Sequence, residues 1–210
     1  MEAILIPASP HHASATQVPA ISDARLVVQA RSGDLDAREA LLVLCRRTAY
    51  LAALQLLGNR EDAMDVAQDA LIRLVGSLDR FDMTRPLKPW VVTIVRHLVI
   101  DLSRRRRVRR ADSLETLLAE EGSEPRDGSA SPEQLAEQGE LRLRVARAVS
   151  HLPPLHREVI VLRDYQDLSY EEIARILGVP RGTVMSRLHR ARSLLRESLS
   201  DYHSGKGGKT

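Results

Sequence analysis

Aromatic side chains are scarce: they make up 3% of the residues, with one Phe, Phe81, and one Trp, Trp90. A packed interior must therefore come from Leu, Val, Ile and Ala, which favours helices over aromatic-rich strands. There is one cysteine, Cys45. It excludes a disulfide framework within one chain and fits a reducing compartment. Set in an apolar helical pattern, it reads as a small core residue. No apolar run approaches the ~18 residues that span a bilayer. Ala3 to Ile6 is too short for a signal peptide and lacks a basic flank. The expectation is a soluble, intracellular protein with no membrane span. Chemistry is sparse too. His11 and His12 have no second ligand cluster, and there is no phosphate-cradling glycine loop and no nucleophile elbow. The carboxylates of Glu61 to Asp69 spread along one helix, so a magnesium site there is the only enzymatic idea. No catalytic residue, metal or cofactor is expected.

What is present is apolar residues at 43% over 210 residues, enough for one large domain or two small ones with a linker. Net charge is only +3. Gross charge therefore names no partner, but its segregation along the chain matters.

The most structured stretch is Leu168 to Glu197, which reads as a helix-turn-helix. Ser169 and Glu172 form a capping box. Gly178 can take the left-handed conformation that ends a helix, and Pro180 stands where a second can begin. In that second helix Val184, Leu188, Ala191 and Leu195 share one apolar stripe. The other side carries Gly182, Ser186, His189, Arg190 and Ser193, with Thr183, Met185 and Arg196 nearer the edges. Gly182 allows close backbone approach. Arg190 can reach a guanine or phosphate, and Ser186 and His189 a base edge. An amphipathic surface helix with solvated arginines is the bland alternative.

Upstream, the chain reads as helices. Residues 1–22 are expected to be a disordered tail. Leu26, Val27 and Ala30 lead to a turn at Gly33-Asp34, and Asp36 can cap the next helix, which runs to Gly58-Asn59. Glu61 to Leu78 keeps a 3.6-residue apolar period, and its polar side holds Asp62, Asp65, Gln68, Asp69 and Arg73. That acidic face is either solvated or a docking surface for a basic partner. Phe81 to Pro89 breaks the pattern. Its Phe beside Arg85 and Lys88 either stacks on an unpaired base or plugs the neighbouring core. Trp90 to Arg110 resumes as a long helix with Val91, Ile94, Val95, Leu98 and Leu102 on one side. It ends in six arginines within seven residues, Arg104 to Arg110. That exceeds what a helix dipole needs and points to phosphates, with a nonspecific basic tail as the alternative. Residues 111–131 are an acidic, flexible linker. Helices follow over Pro132 to Ser150 and Leu155 to Tyr165, before the helix-turn-helix.

These segments, in this order, resemble the extracytoplasmic-function (ECF) sigma factors of the sigma-70 family. The resemblance covers roughly Asp23 to Ser200. Glu61 to Asp82 is similar to the family's core-binding segment, Pro89 to Arg110 to its promoter-melting and −10 helix, and Ala146 to Arg192 to its −35-binding domain. It implies an all-α fold of two small helical domains joined by a flexible linker: 23–110, binding core polymerase and −10 DNA, and 132–203, binding −35 DNA, with 204–210 a flexible tail. It implies that Asp62, Asp65, Gln68, Asp69 and Arg73 dock on the β′ clamp helices of core RNA polymerase. Ser77, Phe81, Arg85, Lys88, Arg96 and His97 would hold a flipped base of the −10 strand, and Arg104, Arg105, Arg106 and Arg107 the upstream phosphates. Arg181, Gly182, Thr183, Met185, Ser186, His189 and Arg190 would read or clamp −35 duplex. The further implied partners are the polymerase β flap and an anti-sigma factor that holds the protein inactive, with a stress or envelope response as the regulon.

The sequence departs from relatives at two of these positions. Many carry Lys or Arg at Met185, which can touch a thymine methyl but makes no bidentate guanine contact. Asn is frequent at His97, so a −10 base preference does not carry over. A conventional helix-turn-helix regulator is the competing reading. It leaves the Phe81 loop, the arginine run and the acidic face without a use.

Overall fold

The computed structural model describes residues 20–112 and 132–204. Of the expected tail over 1–22, linker over 111–131 and tail over 204–210, residues 1–19, 113–131 and 205–210 lie outside them; residues 20–22 instead open a helix, and 111–112 and 204 each end one. The described residues are helical, and their contacts divide into two compact units.

The first unit comprises α1 (Ala20–Arg31), α2 (Leu35–Leu57), α3 (Arg60–Gly76), a 3₁₀ turn (Leu78–Arg80) and α4 (Leu87–Asp112). Helix α2 is the hub, in contact with α1, α3 and α4. By length and composition α2 could also cross a membrane. Here its Leu41, Cys45, Ala49, Ala52, Ala53 and Leu56 are buried in a bundle. On α3 the inward residues are Ala63, Val66, Ala67, Ala70 and Leu74. Alanine at so many contact positions lets helices approach closely without aromatic filler, which answers the 3% aromatic content. The Cys45 thiol is pushed up to about 12, first by burial and then by the charge of Asp23.

Turns are set locally. Gly33 and Gly58 take positive φ, 96° and 73°. Asp34, not the expected Asp36, caps α2: its carboxylate accepts from the Ala37 N–H at 3.1 Å. Asp36 instead sits in the first turn, where its charge favours the helix dipole. Asn59 caps α3, accepting from the N–H groups of Glu61 and Asp62 at 2.9 and 3.2 Å. Helix α4 starts three residues earlier than Trp90, because Pro89 fits the first turn, where no N–H bond is lost.

The second unit comprises α5 (Pro132–Ser150), α6 (Pro154–Ile160), a π-helical turn (Val161–Tyr165), α7 (Tyr170–Leu177) and α8 (Arg181–Ser204). Val159, Ile160, Val161, Leu162, Ile173, Val184, Leu188, Ala191 and Leu195 form its core. The expected single helix over Leu155 to Tyr165 widens at Val161, where the Gln166 N–H reaches back five residues to the Val161 carbonyl at 2.9 Å. The widened turn puts Asp164 under Arg192 of α8, which donates to it at 2.6 Å. Burial and then the Asp164 charge push the Tyr165 phenol up to about 12.

Candidate nucleic-acid interface

The helix-turn-helix forms as its local chemistry dictates. The Ser169 hydroxyl accepts from the Glu172 N–H at 3.2 Å, and the Glu172 carboxylate accepts from the Ser169 N–H at 2.7 Å. Gly178 closes α7 with φ 66°. Val184, Leu188, Ala191 and Leu195 of α8 are at most 2% exposed, which fixes the helix's roll.

That roll turns Arg181, Gly182, Met185, Ser186, His189 and Arg190 to the exposed side, with Thr183 half-buried. The seven predicted residues therefore lie on or beside one face of one helix. Two are engaged within the unit. Arg181 pairs with Glu171 at 3.0 Å and lies over the Tyr170 ring, its guanidinium carbon 5.9 Å from the centroid. The Ser186 hydroxyl donates to the Thr183 carbonyl at 3.0 Å, leaving its lone pairs as acceptors. His156, on α6, was not anticipated. Its Nδ1 is buried without a hydrogen-bond partner among the described residues. Its pKa is held below the usual imidazole value by burial, then by Arg190 and Arg187 of α8. The sequence signal was only its place in Pro153-Pro154-Leu155-His156, one turn into the helix that packs on α8.

In the first unit the predicted docking set splits. Asp65, Gln68 and Asp69 are exposed on one face of α3. Met64 and Ile72 join them, 59% and 64% exposed. Both were missed, although their spacing with Gln68 (i, i+4, i+8) and an inward stripe already filled by Ala63, Val66, Ala67, Ala70 and Leu74 marks them as outward. Asp62 and Arg73 face α4 instead. Asp62 accepts from Arg106 at 2.5 Å, and Arg73 pairs with Asp101 at 3.8 Å. The expectation that Asp62 belongs to the open docking face is corrected accordingly, whereas Arg73 stays exposed at its edge.

Phe81 is also corrected. Its ring is 6% exposed and tilted 38° against Trp90, with centroids 4.6 Å apart. It plugs the core and offers no face to a base. Asp82, Thr84 and Arg85 are at the surface: Thr84 donates to the Asp82 carboxylate from its N–H at 3.0 Å and its hydroxyl at 2.6 Å, and Arg85 pairs with it at 3.0 Å. These bonds hold the Asp82 carboxyl below its usual value. The Ser77 hydroxyl donates to the Arg73 carbonyl at 2.6 Å and so closes α3. Lys88 and His97 are exposed and Arg96 is half-buried. Arg104, Arg105, Arg107 and Arg109 are exposed along α4, whereas Arg106 is tied to Asp62. Among the described residues no group of three His, Cys, Asp or Glu side chains could hold a metal ion.

Residues 42–109 match the family model for sigma-70 region 2, and residues 142–195 that for sigma-70 region 4. The chain is 33% identical to the ECF RNA polymerase sigma factor SigW of Bacillus subtilis over 83% of its length and 95% of the relative's. It is also 33% identical to the ECF RNA polymerase sigma-E factor of Escherichia coli, over 83% and 93%. Among solved structures it is similar to the sigma factor RpoE in complex with the anti-sigma factor NepR from Bartonella quintana, with TM-score 0.65, 28% identity, and coverage of 77% of this chain and 96% of that one. It is similar too to CnrH in complex with the cytosolic domain of CnrY, with TM-score 0.62, 29% identity, and coverage of 86% and 98%. The matches to sigma-70 regions 2 and 4, with 33% identity to an ECF sigma factor over 83% of this chain and 95% of the relative, show that the chain belongs to the ECF sigma factors.

Proposed function

We propose that the chain recruits core RNA polymerase to promoters and helps to open them, without catalysing a reaction itself. The observation that carries the reading is the pairing of two kinds of surface in the first unit. An exposed acidic and apolar face on α3 can engage a protein, and an exposed arginine row on α4 can engage phosphate. A protein that only bound duplex through α8 would need neither. Asp65, Gln68, Asp69, Met64 and Ile72 form the surface for the polymerase β′ clamp helices, where charge sets register and apolar contact supplies affinity. Residues 77–97, without the Phe81 ring, hold the −10 strand; Arg104, Arg105 and Arg107 hold phosphates. Helix α8 enters the −35 major groove, and the second unit is the partner of the β flap.

Two of the solved relatives are complexes in which RpoE is bound by NepR and CnrH by CnrY. They support an anti-sigma partner for this chain as well, one that withholds it from polymerase until a stress or envelope signal arrives. The test is reconstitution: purified core polymerase with this protein, then run-off transcription from the region upstream of its own coding sequence. Stable association and a discrete transcript are expected. Duplex binding with no polymerase association would replace this reading with a conventional helix-turn-helix regulator.

A further inference from the structure

Arg106 continues the inward stripe of α4. Val91, Val95, Leu98, Leu102 and Arg106 are separated by four, three, four and four residues, so they lie on one side of the helix. The first three are buried and Leu102 is half-buried. Beyond Leu102 the helix outruns the apolar core, and the next inward residue is an arginine. It meets Asp62 in the first turn of α3. Arg106 Nη2 donates to Asp62 Oδ1 at 2.5 Å, with the side chains 47% and 15% exposed. Asp62 Oδ2 is buried and has no hydrogen-bond partner among the described residues. Moving Arg106 out to a phosphate would thus strand a mostly buried carboxylate, the costly way to break such a pair.

We infer that Asp62 and Arg106 form a brace rather than parts of the two binding surfaces. Asp62 is a positioning residue: it acts through Arg106 to hold the basic end of α4 against α3. Arg104, Arg105 and Arg107 then stand outward as a row of fixed spacing. Arg73 and Asp101, 3.8 Å apart, make a second, more exposed link between the same two helices. The row is ordered before DNA arrives, so less conformational freedom is lost on binding. This inference rests on the reading of α4 as a phosphate-binding helix, and its test separates the two.

The full chain is compared with Asp62→Asn, Arg106→Gln, Arg106→Lys, Arg107→Gln and Asp65→Asn. Hydrogen exchange in the free protein should speed up about tenfold at the amides of residues 104–109 in Asp62→Asn and Arg106→Gln, as local opening becomes easier. Arg106→Lys, which keeps the charge, should restore most of the protection, and Arg107→Gln should leave it unchanged. The salt dependence of binding to random-sequence duplex DNA gives the second readout. Each lost phosphate contact flattens the log–log slope by about 0.9, so Arg107→Gln should do so and Arg106→Gln should not. Asp62→Asn should lower affinity severalfold at an unchanged slope, and should leave core-polymerase affinity unchanged while Asp65→Asn weakens it. Equal flattening by Arg106→Gln and Arg107→Gln would show that Arg106 is itself a phosphate ligand in the parent and overturn the brace. Loss of polymerase binding in Asp62→Asn equal to that in Asp65→Asn would also overturn it, returning Asp62 to the docking face. No slope change in Arg107→Gln would instead sink the phosphate-binding reading of α4, while the exchange data still decide the pair.

Discussion

Arg31, the last residue of α1, donates from Nη2 to the backbone carbonyl of Phe81 at 2.6 Å. The same guanidinium reaches the carbonyls of Leu78 at 2.7 Å and Asp79 at 3.0 Å. One side chain thereby satisfies three carbonyls of the turn between α3 and α4, which carries the Ser77 to Trp90 loop. Arg31→Met keeps the aliphatic stem and removes the donors. It should cost about 1.5–3 kcal/mol, as loss of charge-assisted bonds to partly buried carbonyls does. Chemical denaturation and hydrogen exchange at residues 78–90 check this. Unchanged exchange there would show that Phe81 and Trp90 hold the turn unaided.

The Phe81 ring provides a second test, because its burial contradicts a base-stacking role. Phe81→Ala should destabilise the protein by about 3–5 kcal/mol, the range for emptying a buried aromatic site. Phe81→Leu, which keeps most of the volume, should bind a single-stranded −10 oligonucleotide as the parent does in complex with polymerase. A tenfold loss of affinity in Phe81→Leu with stability nearly intact would mean that the ring leaves the core to meet a base.

What the sequence revealed was whatever is decided within a few residues. The Ser169–Glu172 box, Gly178 and the Val184–Leu195 stripe locate two helices and a turn without tertiary information, and the structure has them in place. The cap of α2 was misplaced because Asp34 and Asp36 both suit an N-cap, and only the backbone at Gly33 decides between them. Roles set across the fold were not legible. Asp62 and Arg106 are 44 residues apart, and Asp164 and Arg192 are 28. A charge on α3 or α4 looks alike in sequence whether it meets solvent or another helix. Phe81 was ambiguous for the same reason, since a loop aromatic looks identical whether it faces a base or Trp90.

Cys45 is 2% exposed, and its thiol is pushed up to about 12 by burial first and Asp23 second. At neutral pH it is therefore almost wholly the unreactive thiol. Iodoacetamide should label it slowly in the native protein and fast in urea. Rapid native labelling would show that α2 opens far more often than a helix packed on three neighbours should.

His156 gives the second unit one source of pH dependence. Its folded pKa lies below 6.5, through burial first and then Arg190 and Arg187. The unfolded chain therefore binds this proton more readily than the folded one. Above the unfolded value of 6.5 the group is neutral in both states and has no effect; as pH falls through 6.5 toward the folded value, stability is lost. The His156 ring signal, followed by NMR, should titrate with a midpoint below 6.5. Adding −35 duplex should raise that midpoint, because phosphates would offset Arg187 and Arg190. A midpoint unmoved by DNA would mean that the duplex does not approach this end of α8.

Gly182 separates a requirement of the fold from a requirement of the ligand. It is the second residue of α8, its φ is not positive, and a Cβ built there meets nothing within 4 Å. Nothing in the fold asks for glycine, and alanine should raise stability by about 0.5–1 kcal/mol through the unfolded chain's lost freedom. If the first turn of α8 lies against DNA, the added methyl occupies space the duplex needs. Gly182→Ala should then be more heat-stable than the parent and bind −35 duplex several-fold more weakly. Equal affinity with higher stability would place the start of α8 away from the bases, and recognition would fall to Met185, Ser186, His189 and Arg190 further along the helix.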